Sequence, residues 1–257
     1  MKLAHLEFGG AGIGGATVVL LHGFPLDARV WKDVAETLAG STRVVLVDLP
    51  GFGRSPLGGA ASIDDYAREL RAFLLPRGLL PCVLGGLSMG GYVALAYHRL
   101  FPAELRGLIL VDSKAAPDAP EVKADRDRMV EVALGPGAPT VAKLMLPKML
   151  SPGAAPDVSR QLMDIMLTCP PATMARALLA MRDRPDYSPD LPRTRVPLLV
   201  ICGEHDAITP PADGRALAAT TPTGTFALIA NAGHMTPIEQ PDQVANAIAT
   251  FVADLPV

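Results

Sequence analysis

The sequence predicts an α/β protein: a doubly wound, mostly parallel sheet interrupted once by an inserted helical cap. Three observations predict it. Short runs rich in Val, Ile and Leu alternate with helix-forming segments, and that order builds a parallel sheet covered on both faces. The alternation stops after Asp112 and resumes at Val196. A Gly-x-Ser-x-Gly turn, Gly86-Leu87-Ser88-Met89-Gly90, stands between an apolar run and a helix-forming segment with no spacer. The expected plan is a first part of the core over 1–113, a helical insertion over 114–190 and a second part of the core over 191–257.

In chain order, the segment from Leu3 to Phe8 reads as the first strand. Gly10-Ala11-Gly12-Ile13-Gly14-Gly15 carries the letters of a dinucleotide-binding loop, but it runs into the β-branched strand Thr17–Leu21 rather than opening a helix. Without a helix N-terminus to receive a pyrophosphate it reads as a hairpin link. Trp31 to Leu38 follows as a short amphipathic helix and Arg43 to Asp48 as a buried strand. Ser62 with Asp65 three residues on is a capping box that starts a helix toward Leu75. The strand of the serine turn and its helix come next, then a strand over Leu108–Asp112.

Between Lys114 and Asp190 there are helical patterns but no strand pattern. They run from Glu121 to Leu134, Thr140 to Leu150, Pro156 to Thr168 and Pro171 to Arg182. Seven of the ten methionines fall in this segment. Methionine fills irregular apolar space, so these side chains suit either an acyl pocket or packing onto the core. Strands then return at Val196–Cys202 and Thr225–Ile229, with helices from Pro211 to Ala219 and from Pro241 to Leu255.

The bulk numbers exclude several classes of function. With 257 residues, 49% hydrophobic and 19% charged, the chain buries a substantial core. A net charge of −3, with no block of Lys or Arg, argues against a nucleic-acid partner. No apolar stretch approaches a membrane span, and no basic amphipathic helix suggests a membrane surface. The three cysteines, Cys82, Cys169 and Cys202, have neither even pairing nor metal-ligand spacing. Together with an N-terminus unlike a signal peptide, they lead to the expectation of a reduced, cytoplasmic protein. Monomer and homo-oligomer are equally compatible with this sequence.

The serine turn is the candidate centre of chemistry. Glycines at 86 and 90 allow a sharp strand-to-helix turn, which would project the Ser88 hydroxyl out of the sheet. A serine nucleophile needs a base, and the base needs an acid to orient it. Of the five histidines, His5 lies far upstream on the first strand and His98 lies about three turns along the following helix. His234 sits in the loop after the last strand, at the sheet edge where such folds gather functional loops. It is the expected base. Asp206 and Asp112 both end strands and compete for the acid; Asp206 is favoured because one helix–strand unit separates it from His234. Asp48 is expected to form a turn before Pro50-Gly51. The oxyanion donors expected are the backbone amides of Met89 and Phe24, with His22 buttressing the loop. Pro25 has no N–H to offer. Phe24 and Trp31 are the expected substrate-binding side chains. Arg126 and Arg128 read as solvated helix surface more readily than as a greeting for an acidic substrate.

These features resemble the α/β-hydrolase family. They are His22-Gly23-Phe24-Pro25, Asp48-Leu49-Pro50-Gly51-Phe52-Gly53-Arg54-Ser55, Gly86-Leu87-Ser88-Met89-Gly90-Gly91, Gly203-Glu204-His205-Asp206 and Gly233-His234, in family order. Within the family the chain is similar to the small esterase and lactonase branch that includes 3-oxoadipate enol-lactonases, through its serine motif and Asp206-Ala207-Ile208-Thr209-Pro210-Pro211. The resemblance implies hydrolysis of a small, fairly apolar carboxylic ester or lactone through an acyl-enzyme on Ser88. It implies no metal and no organic cofactor. Other readings of the same fold are a perhydrolase, a carbon–carbon bond hydrolase and a small-molecule receptor.

Overall fold

Among the described residues the apolar runs form seven strands: β1 (His5–Phe8), β2 (Thr17–Leu21), β3 (Arg43–Val47), β4 (Cys82–Leu87), β5 (Leu105–Val111), β6 (Leu198–Gly203) and β7 (Gly224–Ile229). The computed structural model describes residues 2–10 and 16–256. The strands make one sheet in the order β1-β3-β2-β4-β5-β6-β7. All pairings are parallel except β1 with β3 at the edge. The hairpin link expected between β1 and β2 falls largely on 11–15, outside the described residues. The strands it joins are not neighbours, because β3 lies between them.

Period-two alternation splits the strand side chains between two cores. Val19, Leu21, Val45, Val47, Leu84 and Leu110 pack on one face, and Val18, Leu20, Val44, Leu46, Val83 and Ile109 on the other. The first face is covered by α2 (Ile63–Leu74), α3 (Met89–Leu100) and α8 (Pro211–Ala219); the second by α1 (Lys32–Leu38) and α10 (Pro241–Ala253). Ser62 caps α2 as expected: its hydroxyl accepts the Asp65 N–H at 3.1 Å, and the Asp65 carboxylate accepts the Ser62 N–H at 3.1 Å. The expected helix from Trp31 begins as a 3-10 turn over Ala28–Trp31 before α1 takes over.

Four helices stand between β5 and β6: α4 (Pro120–Leu134), α5 (Ala138–Met149), α6 (Pro156–Met166) and α7 (Pro171–Arg182). Each has proline in its first turn, where the missing N–H costs nothing and the fixed φ favours the helix. Met149, Met166, Met174 and Met181 are buried in the two cores, so these four serve packing. Hydrogen bonds seat the insertion on loops at the carboxyl edge of the sheet. Thr173 Oγ1 donates to the Gly51 carbonyl at 3.0 Å, Arg176 Nη1 to Gly58 at 2.8 Å, and Arg29 Nη2 to Thr168 Oγ1 at 2.9 Å. Among the described residues, no helix is long and apolar enough to cross a membrane.

The insertion leaves and rejoins the core at one buried ionic knot. Arg184 Nη2 lies 2.9 Å from Asp118 Oδ1, and neither side chain has any solvent-accessible area. Arg184 also donates to the carbonyls of Met181 and Ala116 at 2.8 Å each, and its guanidinium lies over the Tyr92 ring at 4.0 Å. Arg126, expected as helix surface, instead donates through Nε to Asp118 Oδ2; Arg128 does pair with Asp125 on an exposed face. Burial opposes the Asp118 charge, but Arg184 and Arg126 outweigh it and hold the carboxyl far below the usual range. Removing one partner of such a pair leaves an uncompensated buried charge, at a cost of about 3–5 kcal/mol. Arg184→Ala is therefore expected to lower the urea midpoint with an unchanged m value. A change under about 1 kcal/mol would show that the knot contributes little.

Candidate active site

β4 ends at Leu87 and α3 begins at Met89, leaving Ser88 alone to make the turn. It does so at φ 50° and ψ −111°, where a side chain is strained. Close backbone approach makes glycine necessary on either side. A Cβ at Gly86 would fall 2.1 Å from the Gly90 carbonyl, and one at Gly90 would fall 2.5 Å from the Leu21 oxygen. The turn is held by hydrogen bonds from Ser88 N–H to the Val111 carbonyl at 2.9 Å and from Ser113 Oγ to the Ser88 carbonyl at 2.8 Å. The serine side chain is left partly exposed while its neighbours are buried.

Two other loops at the same sheet edge converge on it. Ser88 Oγ lies 3.0 Å from His234 Nε2, and His234 Nδ1 lies 2.9 Å from Asp206 Oδ2. His234 and Asp206 are 3% and 4% exposed, so the relay from acid to hydroxyl is shielded from water. Asp206 Oδ1 also accepts the N–H groups of Ile208 and Thr209 at 2.8 and 3.0 Å, and Oδ2 accepts the Thr209 hydroxyl at 2.5 Å. Burial opposes ionisation of Asp206, but the His234 and Thr209 contacts outweigh it and hold the carboxyl below its usual range. Thr209 was not among the sequence candidates. Its only signal is its place three residues after an aspartate, where Asx turns form.

Asp112, the competing acid, is brought close without touching His234. Fully buried at φ 46°, it accepts the Gly203 N–H through Oδ1 at 2.9 Å and the Thr236 hydroxyl through Oδ2 at 2.6 Å. It thereby fixes the start of the loop that bears Asp206 and the end of the loop that bears His234. Burial first, and the nearby Asp206 charge second, push its carboxyl well above the usual range.

His22 holds the loop beside the serine. Its Nδ1 donates to the Gly23 carbonyl at 2.8 Å and its Nε2 accepts the Leu49 N–H at 3.0 Å. Backbone groups thus occupy both ring nitrogens, and burial pushes the ring pKa down, which suits a neutral clamp. A Cβ at Gly23 would lie 3.3 Å from Ser88 Cβ, so the backbone of this loop runs directly alongside the serine. Neither the Phe24 nor the Met89 amide has a hydrogen-bond acceptor among the described residues. The Met89 amide belongs to the free N-terminal end of α3. Asp48 forms the expected turn, its carboxylate accepting the N–H groups of Ala28 and Arg54 at 2.9 and 3.0 Å.

Trp31 does not reach the site. It is fully buried among the side chains beneath α1 and α10, and its indole N–H donates to the Leu21 carbonyl at 3.0 Å. The turn over Ala28–Trp31 rotates the ring into the core, which corrects the expectation that it binds substrate. Phe24 is 6% exposed and belongs to the opposite core. His98 bonds Thr194 Oγ1 at 2.6 Å, far from the serine turn. Asp112, Cys202 and Asp206 form a group with ligand-type atoms within 4.8 Å of one another. The two carboxylates already accept the bonds described, and burial pushes the Cys202 thiol well up while it donates to the Thr209 carbonyl at 3.1 Å. That donor set is engaged within the protein rather than open to a cation.

A family model described as "Alpha/beta hydrolase family" matches residues 18–247. The chain belongs to that family. It is 32% identical over 250 residues to a pimeloyl-[acyl-carrier protein] methyl ester esterase of Aeromonas hydrophila, covering 93% of this chain and 96% of the relative. It is also similar to the solved structure of a thermophilic esterase from Thermogutta terrifontis with malate bound. There the TM-score is 0.93 and the identity 39%, over 98% of this chain and 93% of the other. The enol-lactonase from Burkholderia xenovorans LB400 superposes with a TM-score of 0.89 at 23% identity, over 98% and 96% of the two chains, a likeness of fold.

The raised pKa of Asp112 makes a prediction about stability. The folded state binds this proton more tightly than the unfolded chain, whose aspartates titrate near 3.9. Its contribution is therefore full below about pH 4 and is lost as pH rises toward the folded pKa. Asp112→Asn has no such proton to lose. Its stability relative to wild type, measured by urea unfolding at pH 5 and pH 8, is expected to be higher at pH 8. A difference independent of pH would show that Asp112 is ionised in the folded protein throughout.

Proposed function

We propose that Ser88, His234 and Asp206 act as nucleophile, base and acid in this carboxylic ester hydrolase. The observation that carries the reading is the unbroken line of contacts at 2.9 and 3.0 Å from Asp206 through His234 to the serine hydroxyl. Asp206 fixes the imidazole with its proton on Nδ1, leaving the Nε2 lone pair to accept the serine proton. Ser88 Oγ then attacks the ester carbonyl. The amides of Phe24 and Met89 receive the developing oxyanion, and two such donors are worth several kcal/mol to the transition state. His234 returns its proton to the leaving alcohol, and water repeats the sequence on the acyl-enzyme.

The residues over 114–190 are assigned as a cap whose inner surface selects the acyl group. Its hydrogen bonds to Gly51, Gly58 and Arg29, in loops at the carboxyl edge of the sheet, support this reading. The substrate assigned is a small, fairly apolar carboxylic ester. The esterase relatives support this choice, including those named for the methyl ester of a pimeloyl carrier-protein conjugate.

Labelling with a fluorophosphonate, followed by mass spectrometry, tests the nucleophile. The adduct is expected on Ser88 and is expected to vanish in Ser88→Ala. Asp206→Asn is expected to lower kcat for p-nitrophenyl esters by about 10⁴-fold, the cost of the wrong imidazole tautomer in a serine protease. A folded protein that fails to label, or an Asp206→Asn variant within tenfold of wild type, would overturn the assignment. Comparing methyl esters of increasing acyl length then ranks the substrate class.

A further inference from the structure

α9 (Thr236–Glu239) is a single turn that periodicity in the sequence did not reveal. Its first residue, Thr236, is bound to Asp112 and so to the sheet. Its last residue, Glu239, reaches in two directions. Oε1 accepts the N–H of Gly233 at 2.8 Å, and Oε2 accepts the N–H of Ser151 at 2.8 Å. Gly233 immediately precedes His234, whereas Ser151 lies in the insertion, between α5 and α6. The two backbones touch at this point. A Cβ on Gly233 would fall 2.6 Å from Ser151 N and 2.7 Å from the Leu150 carbonyl carbon. A carboxylate fits the position chemically, because it offers two acceptor oxygens and no donor, one oxygen for each N–H. Bonds to a charged acceptor are also about twice as strong as neutral ones.

We propose that Glu239 is a positioning residue that couples the seating of the helical insertion to the placement of His234. The proposal rests on the assignment of His234 as base. With the insertion seated, one carboxylate satisfies both N–H groups, and Gly233 is clamped between α9 and residues 150 and 151. The imidazole that follows is then held with Nε2 3.0 Å from Ser88 Oγ. Withdrawal of Ser151 removes one of the two donors to Glu239 and the wall against Gly233, so a substrate that keeps the insertion seated also keeps the base in line.

Three variants separate this role from simple stabilisation. Glu239→Ala removes both acceptors. Glu239→Gln keeps one acceptor and turns an NH₂ donor against the other N–H. Ser151→Pro replaces the N–H of the insertion with a ring methylene that faces Glu239 Oε2 and so breaks this one bond from the insertion's side; Leu150 is extended at φ −105° and ψ 153°, which a following proline accepts. With a soluble p-nitrophenyl ester, well below each variant's melting temperature, kcat is expected to fall about tenfold in Glu239→Ala and about threefold in the other two, with KM within about twofold. The Ser151→Pro result is decisive, because that residue contacts neither the serine nor the imidazole. If Ser151→Pro keeps full kcat while the Glu239 variants lose it, Glu239 serves the base loop alone and the coupling is overturned. If the folded variants all keep full kcat, or lose affinity instead, the proposal fails entirely. Should Glu239→Ala not fold, the other two variants decide by the same criteria. His234→Ala, run in parallel, is expected to abolish turnover; if it does not, the assignment of the base fails rather than the coupling.

Discussion

Ser88 occupies a backbone conformation that an L-residue adopts only under constraint, and much of the chain's layout keeps it there. The strain is of the order of 1–3 kcal/mol. It is sustained because β4 is an interior strand, flanked by β2 and β5. Both neighbours take part: the Leu21 carbonyl of β2 occupies the space a side chain at position 90 would need, and the Val111 carbonyl of β5 accepts the Ser88 N–H. Relaxing the turn would therefore break the middle of the sheet. The same constraint starts α3 immediately after the serine, which leaves the Met89 amide free beside the hydroxyl. A strained turn and an amide without an acceptor thus arise from one piece of backbone geometry.

The two buried aspartates illustrate how surroundings divide roles between identical side chains. Both lose hydration, and they lie too close for both charges to be held cheaply. Asp206 faces an imidazole that becomes cationic when it takes a proton, and three donors from residues 208 and 209. Asp112 faces backbone N–H groups and a hydroxyl, with no cation, and feels the Asp206 charge. One carboxyl is held below its usual range beside the imidazole; the other is pushed above it and holds two loops in register. Chain order favours Asp206 beside His234, and these neighbours give each aspartate its environment.

Local physics made much of the architecture legible in the sequence. Short apolar runs, helical patterns and the Ser62 capping box all act within a few residues, and the strands and helices they indicate are present with ends shifted by a few positions. The glycine spacing around Ser88 is local as well, and the resemblance to the α/β hydrolases followed from it. What escaped depends on contacts distant in the chain. Trp31 follows the loop after His22 and looked available, yet a 3-10 turn directs it to the Leu21 carbonyl. Arg126 looked like a solvated helical charge because its acceptor, Asp118, gave no sign of being buried. Glu239 meets Ser151 across 88 residues, and α9 is too short to leave a periodic trace.

The helical insertion is tied to the core unevenly. Against the catalytic-edge loops it makes separate hydrogen bonds from Thr173, Arg176, Thr168 and Ser151, each worth about 0.5–1.5 kcal/mol net, or somewhat more where a charge takes part. At its root the Asp118–Arg184 pair, the Met181 and Ala116 carbonyls and the Tyr92 ring form one buried network, and losing a member of such a network costs several kcal/mol. Polar contacts therefore bind the insertion most firmly where it joins the sheet and least firmly where it meets the loops around Ser88. The root also touches α3 through Tyr92, one turn from the strained serine. Side chains facing the loops can change with little effect on the root, whereas a change at the root reaches the helix that starts at the Ser88 turn. The contacts that meet the loops around Ser88 and those that secure the insertion to the sheet thus lie at separate places on the insertion.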